Sequence, residues 1–496
     1  MKHTHPKGSA LLHTLLILSI VVSASFGTYF VLNRQISQTT DFAQGVRAFY
    51  AAESGAEQLL YEVRKQGKGV GTVTASRDLS NNTAWKSSGE TGLSDFVLSL
   101  TKDEVFELSL YDPNNQATHI NINSLQFTQL KVPLEITIIA WNINDPVVYG
   151  LEKVLVEGVS YTLDLTNIQF NGAVIKDVNH SFRNYRVRLR ALDGVNSFRV
   201  VSSPDKVPYM TRVKTTGESP KASERQSNQA IEMIFSNTPS VPSLFDFVMF
   251  SQGPIIKPDG ANQWIKTENG DVHALANLNG GVAKGGDHNA TYLVTAGGSI
   301  SNFTSVEMTG KQKQMYQIPS NVLWGPDVAF ISSNAISIPQ NFGHDGEIRL
   351  NGYVYTMQGQ DWDFKTTGAL DDIFLIGPNS GYAGSGVFYR NGDLTIKDNI
   401  YIDDVKDVGA DIKEVPVVAF VVEGDLSIDP AVTNVSGFFY VTGSVHTGAS
   451  DKQLTIEGAV VASGFNLERN TNGNNADEVF IYDPRVFINP PPGFLR

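Results

Sequence analysis

The stretch Ala10–Leu32, ALLHTLLILSIVVSASFGTYFVL, runs for 23 residues without a formal charge, between Lys7 and Arg34. A helix of that length crosses a hydrocarbon core of about 30 Å. The apolar h-region of a cleaved secretory signal is shorter, roughly 7–15 residues, and here the helical pattern continues past Arg34. The stretch therefore predicts a single membrane-spanning helix. Lys2 and Lys7 precede it, which places the N-terminus on the cytoplasmic side and exports the rest of the chain.

Beyond Arg34, the residues Phe42, Val46, Phe49, Ala56, Leu60 and Val63 recur at steps of three, four and seven, the stripe of an amphipathic helix. No proline interrupts the chain between Pro6 and Pro113, and Gly67-Lys68-Gly69 supplies a stop. One continuous helix from about residue 10 to 66 would be roughly 85 Å long. Its second half contains AFYAAESGAE, residues 48–57, whose small side chains are expected to admit a neighbouring helix.

A short basic leader ending in glycine, an apolar helix and the AFYAAESGAE segment together resemble the N-terminal domain of PilX-like minor pilins of the type IV pilus system. The resemblance covers about residues 7–65. It implies that a prepilin peptidase cuts after Gly8, in the sequence Lys7-Gly8-Ser9, leaving Ser9 as the mature N-terminus. It also implies that His13, Phe49, Tyr50, Ala52, Glu53, Gly55, Ala56 and Glu57 take part in helix assembly with other pilins and pilus assembly proteins. Major pilins carry a glutamate at the fifth mature position. Here that position is His13, which fits a minor subunit rather than a filament-forming one. The implied location is the inner (cytoplasmic) membrane as a single-pass protein, and the cell surface or pilus after assembly.

The chain of 496 residues is expected to hold two or three domains. It has no cysteine, so disulfides and Cys-ligated metals are excluded. The net charge is −13; residues 1–34 carry three positive charges and no acid, so the remainder carries −16. An acidic exterior argues against nucleic-acid binding as the main task. With 44 Gly and 21 Pro, the region after the helix reads as turn-rich β structure.

Residues 67–92, polar and rich in Gly, Ser and Asn, read as a linker. Residues 93–240 carry short alternating runs, among them VFELSLY (105–111), LEITIIAW (134–141), YRVRLRA (185–191) and AIEMIF (230–235), separated by Asn, Asp, Gly and Pro turns. Such a pattern predicts a β-sandwich, with Arg183, Arg186, Arg188 and Arg190 on a solvated strand face. From 244 to 496 the texture changes. FYRNGDLTI (388–396), FVVEGDLSI (420–428), FYVTGSVHT (439–447) and LTIEGAVVA (454–462) each place a glycine after an apolar strand. This recurrence predicts a solenoid resembling a right-handed parallel β-helix, ending in an extended tail that caps its last coil. The fold class is therefore mainly β with one long N-terminal α-helix.

No motif for catalysis stands out: HExxH, Gly-x-Ser-x-Gly and P-loop patterns are absent, and the nine histidines are scattered. No cofactor is expected. Asp361, Asp363, Asp371, Asp372, Asp403, Asp404 and Asp407 form acidic turns that read as solvated rather than as Ca²⁺ sites. Two alternatives to the pilin reading stand. One is a single-pass surface adhesin binding glycans through Tyr382, Phe388, Tyr389 and Tyr401; the other is a β-helix enzyme degrading polysaccharides.

Overall fold

The protein is described here from a computed structural model. It describes residues 9–64, 74–79, 82–111, 122–142, 149–166, 168, 184–220, 227–236, 240–258, 263–281, 292–303, 325–338, 346–359, 362–366, 372–378, 382–403, 411–472 and 475–495. The chain divides into two compact units, one formed by residues 1–92 and 210–237, the other by residues 93–209 and 238–496.

The first unit holds helix α1, Ser9–Arg64. Its C-terminal half lies on a four-stranded antiparallel sheet in the order β1-β2-β11-β12, with β1 Thr74–Leu79, β2 Thr83–Leu93, β11 Val207–Ser219 and β12 Ser227–Ser236. The seam between helix and sheet is made of small residues. Ala48, Ala51, Ala52, Gly55, Ala56 and Leu59 form the buried stripe. A Cβ on Gly55 would stand 2.7 Å from Trp85 and Thr215, and one on Gly217 would run into the Ala48 carbonyl. Close backbone approach is thus what glycine provides at both positions. Leu59, Val213 and Phe235 close the far end of the seam.

Two expectations change here. The span 67–92, read as a linker, supplies β1 and nearly all of β2, because Trp85 and Ser87 alternate with exposed Lys86 and Ser88. The strand at 230–235 belongs to this helix-bearing sheet, not to the sandwich. The first was missed because β1 and β2 carry mostly Ser, Thr, Gly and Ala and so give little hydrophobic signal; the second was legible as a strand, but alternation does not say which sheet a strand joins.

The second unit begins with the sandwich. One antiparallel sheet runs β3-β10-β5-β8, with β3 Asp95–Leu100, β5 Ile122–Thr128, β8 Ser160–Asp164 and β10 Asn196–Pro204. The other runs β4-β9-β6-β7, with β4 Val105–Ser109, β6 Leu134–Trp141, β7 Tyr149–Val156 and β9 Asn184–Ala191. The first sheet is buried on alternate residues: Phe96, Leu98 and Leu100 are inside, and Val97 is out. The second is buried on both faces, as β6 shows throughout its length. One of those faces bears the arginines, covered by the solenoid.

The solenoid has three parallel walls. In the longest, the spatial order is Ile336–Ile338, Val354–Met357, Ser385–Arg390, Val417–Val422, Asn434–Val441, Leu454–Ala462, Phe247–Ser251, Asp271–Ala274 and Val294–Ala296. The chain therefore winds out from Phe247 to Ala296, re-enters at the opposite end at Ile336, and winds back until Leu454–Ala462 pairs with its own starting strand. This is a solenoid with circularly permuted chain order. An inward column crosses the junction without a break. Tyr355, Phe388, Phe420 and Phe439 stack at 5.2, 5.2 and 4.8 Å between centroids, and Val460, Met249, Val272 and Val294 continue the register. Ring spacing close to the strand spacing of ~4.8 Å is what lets identical positions stack from coil to coil.

Glycine turns stack as the sequence pattern required. A Cβ on Gly424 would collide with Gly392, and one on Gly443 with Gly424. Gly458 serves differently: with Gly437 it sits at positive φ inside a long strand, at the bend where that strand passes from one wall to the next. The tail also departs from expectation. It contains a short helix, α3 (Arg485–Ile488), and instead of capping a terminal coil it is buried at the joint between sandwich and solenoid.

Candidate functional site

The apolar half of α1 is the most distinctive surface of the first unit. From Leu11 to Leu32 every residue is exposed, with Leu11 at 70% and Phe26 at 71%, and the helix is long and apolar enough to cross a membrane. Four of its hydroxyls bond within the helix. Thr14, Ser19, Ser25 and Thr28 donate to the carbonyls of Leu11, Leu16, Val21 and Ala24 at 2.8–2.9 Å. Hydroxyls that bond back to the helix in this way are compatible with hydrocarbon.

Lys7 and Gly8 lie outside the described residues, and Ser9 is the first residue of α1. His13 lies on the exposed span. The assembly residues separate into two sets. Phe49, Tyr50, Glu53 and Glu57 face outward, whereas Ala52, Gly55 and Ala56 are buried against the protein's own sheet. The expectation that those small residues admit a foreign helix is thus corrected: β2 and β11 already occupy that face. The apolar stripe is offset likewise, since Phe42, Val46 and Phe49 are exposed.

The arginine face of the sandwich is also corrected. Arg186, Arg188 and Arg190 are buried, and their cross-strand neighbours on β4 and β6 include Glu107 opposite Arg188 and Glu135 opposite Arg190. Arg188 pairs with Glu107 and, at 2.8 and 2.9 Å, with Asp246 of the solenoid. Arg190 reaches Glu135 and the solenoid's Asp271, both at 2.6 Å, and Lys153 binds the same two acids at 3.1 and 3.2 Å. Four cations thus meet four carboxylates in a buried grid. Burial pushes the Asp271 carboxyl up to about 7, with Glu135 beside it adding to the effect. Burial also acts on Glu135, but Arg190 and Lys153 outweigh it and hold that carboxyl down at about 2. The missed signal was the single glutamate inside each apolar run, VFELSLY and LEITIIAW.

On the solenoid, successive turns line a cleft of about 400 Å³ with Asp393, Asp425, Asp429, Glu468, Thr395, Ser427 and His446. The acids cap turns first: Asp393 accepts from the Asp425 amide at 2.8 Å and Asp425 from that of Ser444 at 2.7 Å. Around them the cleft presents hydroxyls, carboxylates and an imidazole, a lining suited to hydroxyl-rich ligands.

The aromatic residues named for sugar stacking are mostly spent on packing. Phe388 and Tyr389 are buried, and Tyr401 stacks on Phe374 at 5.6 Å. Tyr382 is exposed, beside Tyr353 at 6.1 Å. Asp363 pairs with Lys397 at 2.8 Å, and Asn399 donates to Asp372. Asp361, Asp371, Asp404 and Asp407 lie outside the described residues, as does Arg183. Among the described residues no group of three His, Asp or Glu side chains is placed to hold a metal ion.

No family model and no curated protein matches the chain. Among solved structures, it is similar to the competence-associated pilin ComZ from Thermus thermophilus, at 14% identity over 91% of this chain and 94% of that one, with a TM-score of 0.26.

Proposed function

We propose that this protein is a PilX-like minor pilin: a membrane-anchored envelope subunit whose N-terminal helix enters pilus assembly while its β modules are displayed outward. The observation that carries the reading is the split character of α1. One half is apolar and fully exposed, and the other is clamped to a sheet by a small-residue seam. A helix built this way rests first in lipid and then among other apolar helices, which replace lipid contacts with packing. The outward residues Phe49, Tyr50, Glu53 and Glu57 are left to meet neighbours.

The leader supplies the processing step. Cleavage by a prepilin peptidase between Gly8 and Ser9 removes Lys2 and Lys7 and frees the Ser9 amine. The experiment for the assembly step is photo-crosslinking from position 50 in cells that build pili. Adducts with other pilins support the reading, and adducts confined to lipid or to unrelated envelope proteins refute it.

The second reading, a glycan-binding surface protein, is favoured by the solenoid cleft around Thr395, Ser427 and His446. It is compatible with display at a filament tip. Glycan-array binding that is lost on His446→Ala and Ser427→Ala would favour it.

A further inference from the structure

Residues 482–494 follow the last solenoid strand and bind three separate parts of the second unit. Toward the sandwich, the Tyr149 hydroxyl donates to Asp483 at 3.2 Å, and Arg186 donates to the Phe487 carbonyl. The guanidinium of Arg188 lies 4.3 Å from the centroid of the Phe487 ring. Toward the first solenoid coil, the Tyr482 hydroxyl donates to the Phe245 carbonyl, and Phe494 packs on the Phe245 ring at 4.8 Å. Toward the returning arm, Asn489 donates to the carbonyls of Lys413 and Val415 at 3.0 and 2.7 Å. The Gly493 carbonyl accepts from the Asp327 amide, at the start of the short helix α2, Val328–Ser333. Val486, Phe487, Ile488 and Phe494 are all buried.

The joint that this segment spans is part ionic and part apolar. Leu98, Phe127, Ile136, Leu189 and Phe198 fill the interior of the sandwich, whereas Tyr111, Ile139, Trp141, Tyr149 and Leu151 on its docking face join Phe245, Phe487 and the solenoid column in one buried apolar cluster. Between sandwich and solenoid lies the grid of Glu107, Glu135, Asp246 and Asp271 against Lys153, Arg186, Arg188 and Arg190. Buried ion pairs fix register, but their attraction is largely offset by lost hydration, which is regained when they open. The attachment comes from the apolar cluster beside the grid, to which the segment contributes Tyr482, Val486, Phe487, Ile488 and Phe494.

We propose that residues 482–494 form a strap that holds the sandwich on the solenoid, and that loosening it undocks the sandwich while both β modules stay folded. The strap is a separable fastening because its contacts with the sandwich, through Tyr149, Arg186 and Arg188, fall on the docking face and not in the sandwich core.

The chain has no cysteine, so single introduced thiols report on it cleanly. In the full chain, Thr137→Cys places a thiol in the charge grid, and Leu125→Cys places one in the sandwich core. Each is combined with Phe487→Ala and, separately, with the milder Tyr149→Phe, and the labelling rate by a maleimide is measured. The strap predicts that both thiols are protected in the parent. With Phe487→Ala, labelling at 137 should accelerate at least 100-fold while position 125 stays protected. Tyr149→Phe should give a smaller acceleration, again at 137 only. Protection of both thiols in every background overturns the proposal, as does rapid labelling of 137 in the parent. Equal acceleration at 125 and 137 also overturns it, because the segment is then part of one cooperative core.

Discussion

Asp246 of the solenoid grips Arg188 of the sandwich with both carboxylate oxygens, Oδ1 2.8 Å from Nε and Oδ2 2.9 Å from Nη2. Both side chains are almost completely buried. Bidentate pairing of this geometry combines charge with direction. Asp246→Ala leaves the guanidinium with fewer acceptors in a dry site, so it should cost about 3–5 kcal/mol in denaturant unfolding. Lys86→Ala, which removes the exposed partner of the pair with Glu218, should cost under about 1 kcal/mol. Equal costs would contradict the grid as drawn.

The same grid sets a pH dependence of unusual sign. Burial raises Asp271 to about 7 and Asp103 to about 6, above the ordinary aspartate range. A carboxyl with a raised folded-state value contributes stability below its unfolded value of roughly 4, and that contribution is lost as pH rises through the folded value. Glu135, held down at about 2, contributes above its unfolded value of roughly 4.3 and is lost as pH falls toward 2. Between about pH 4 and 7 the two aspartates should therefore lower the melting temperature of the second unit, a decline that His273, held down at about 3 by burial, partly offsets. Asp271→Asn should flatten that decline. A melting temperature that climbs across that range would contradict the assignment.

In the first unit, Gly217→Ala should lift α1 from its sheet, because the added Cβ meets the Ala48 carbonyl and the Ala52 amide, neither of which can rotate away. A loss of about 1–3 kcal/mol is expected, read as faster amide exchange over Ala48–Leu59. Gly27→Ala is the control: nothing lies within 4 Å of its Cβ position, so exchange there should not change.

Leu18→Arg should abolish carbonate-resistant membrane association, since a cation at the centre of the span costs a few kcal/mol. Parent-like fractionation of that variant would show that Ala10–Leu32 is not the membrane span.

The long helix, the sandwich strands and the solenoid's glycine turns were legible because each has a strong period: 3.6 residues, two residues, or a recurring Gly after an apolar run. The arginine face was not. Alternation tells which residues share a face, but not whether that face meets water or acids such as Asp246 and Asp271 from another module. The circular permutation was hidden as well. Which coil stacks on which depends on parallel pairings such as Met249 with Val460, more than 200 residues apart, that leave no local trace. The small residues of AFYAAESGAE did mark a close approach. They could not say whether the approaching element was another helix or the sheet carrying Gly217.

The most direct test is the mature N-terminus, determined by intact mass or N-terminal sequencing after co-expression with a prepilin peptidase. The pilin reading predicts a chain beginning at Ser9, and uncut chain when Gly8→Ala is introduced. A chain that keeps residues 1–8 in the presence of active peptidase would contradict it, and would leave α1 as a plain membrane anchor for the β modules.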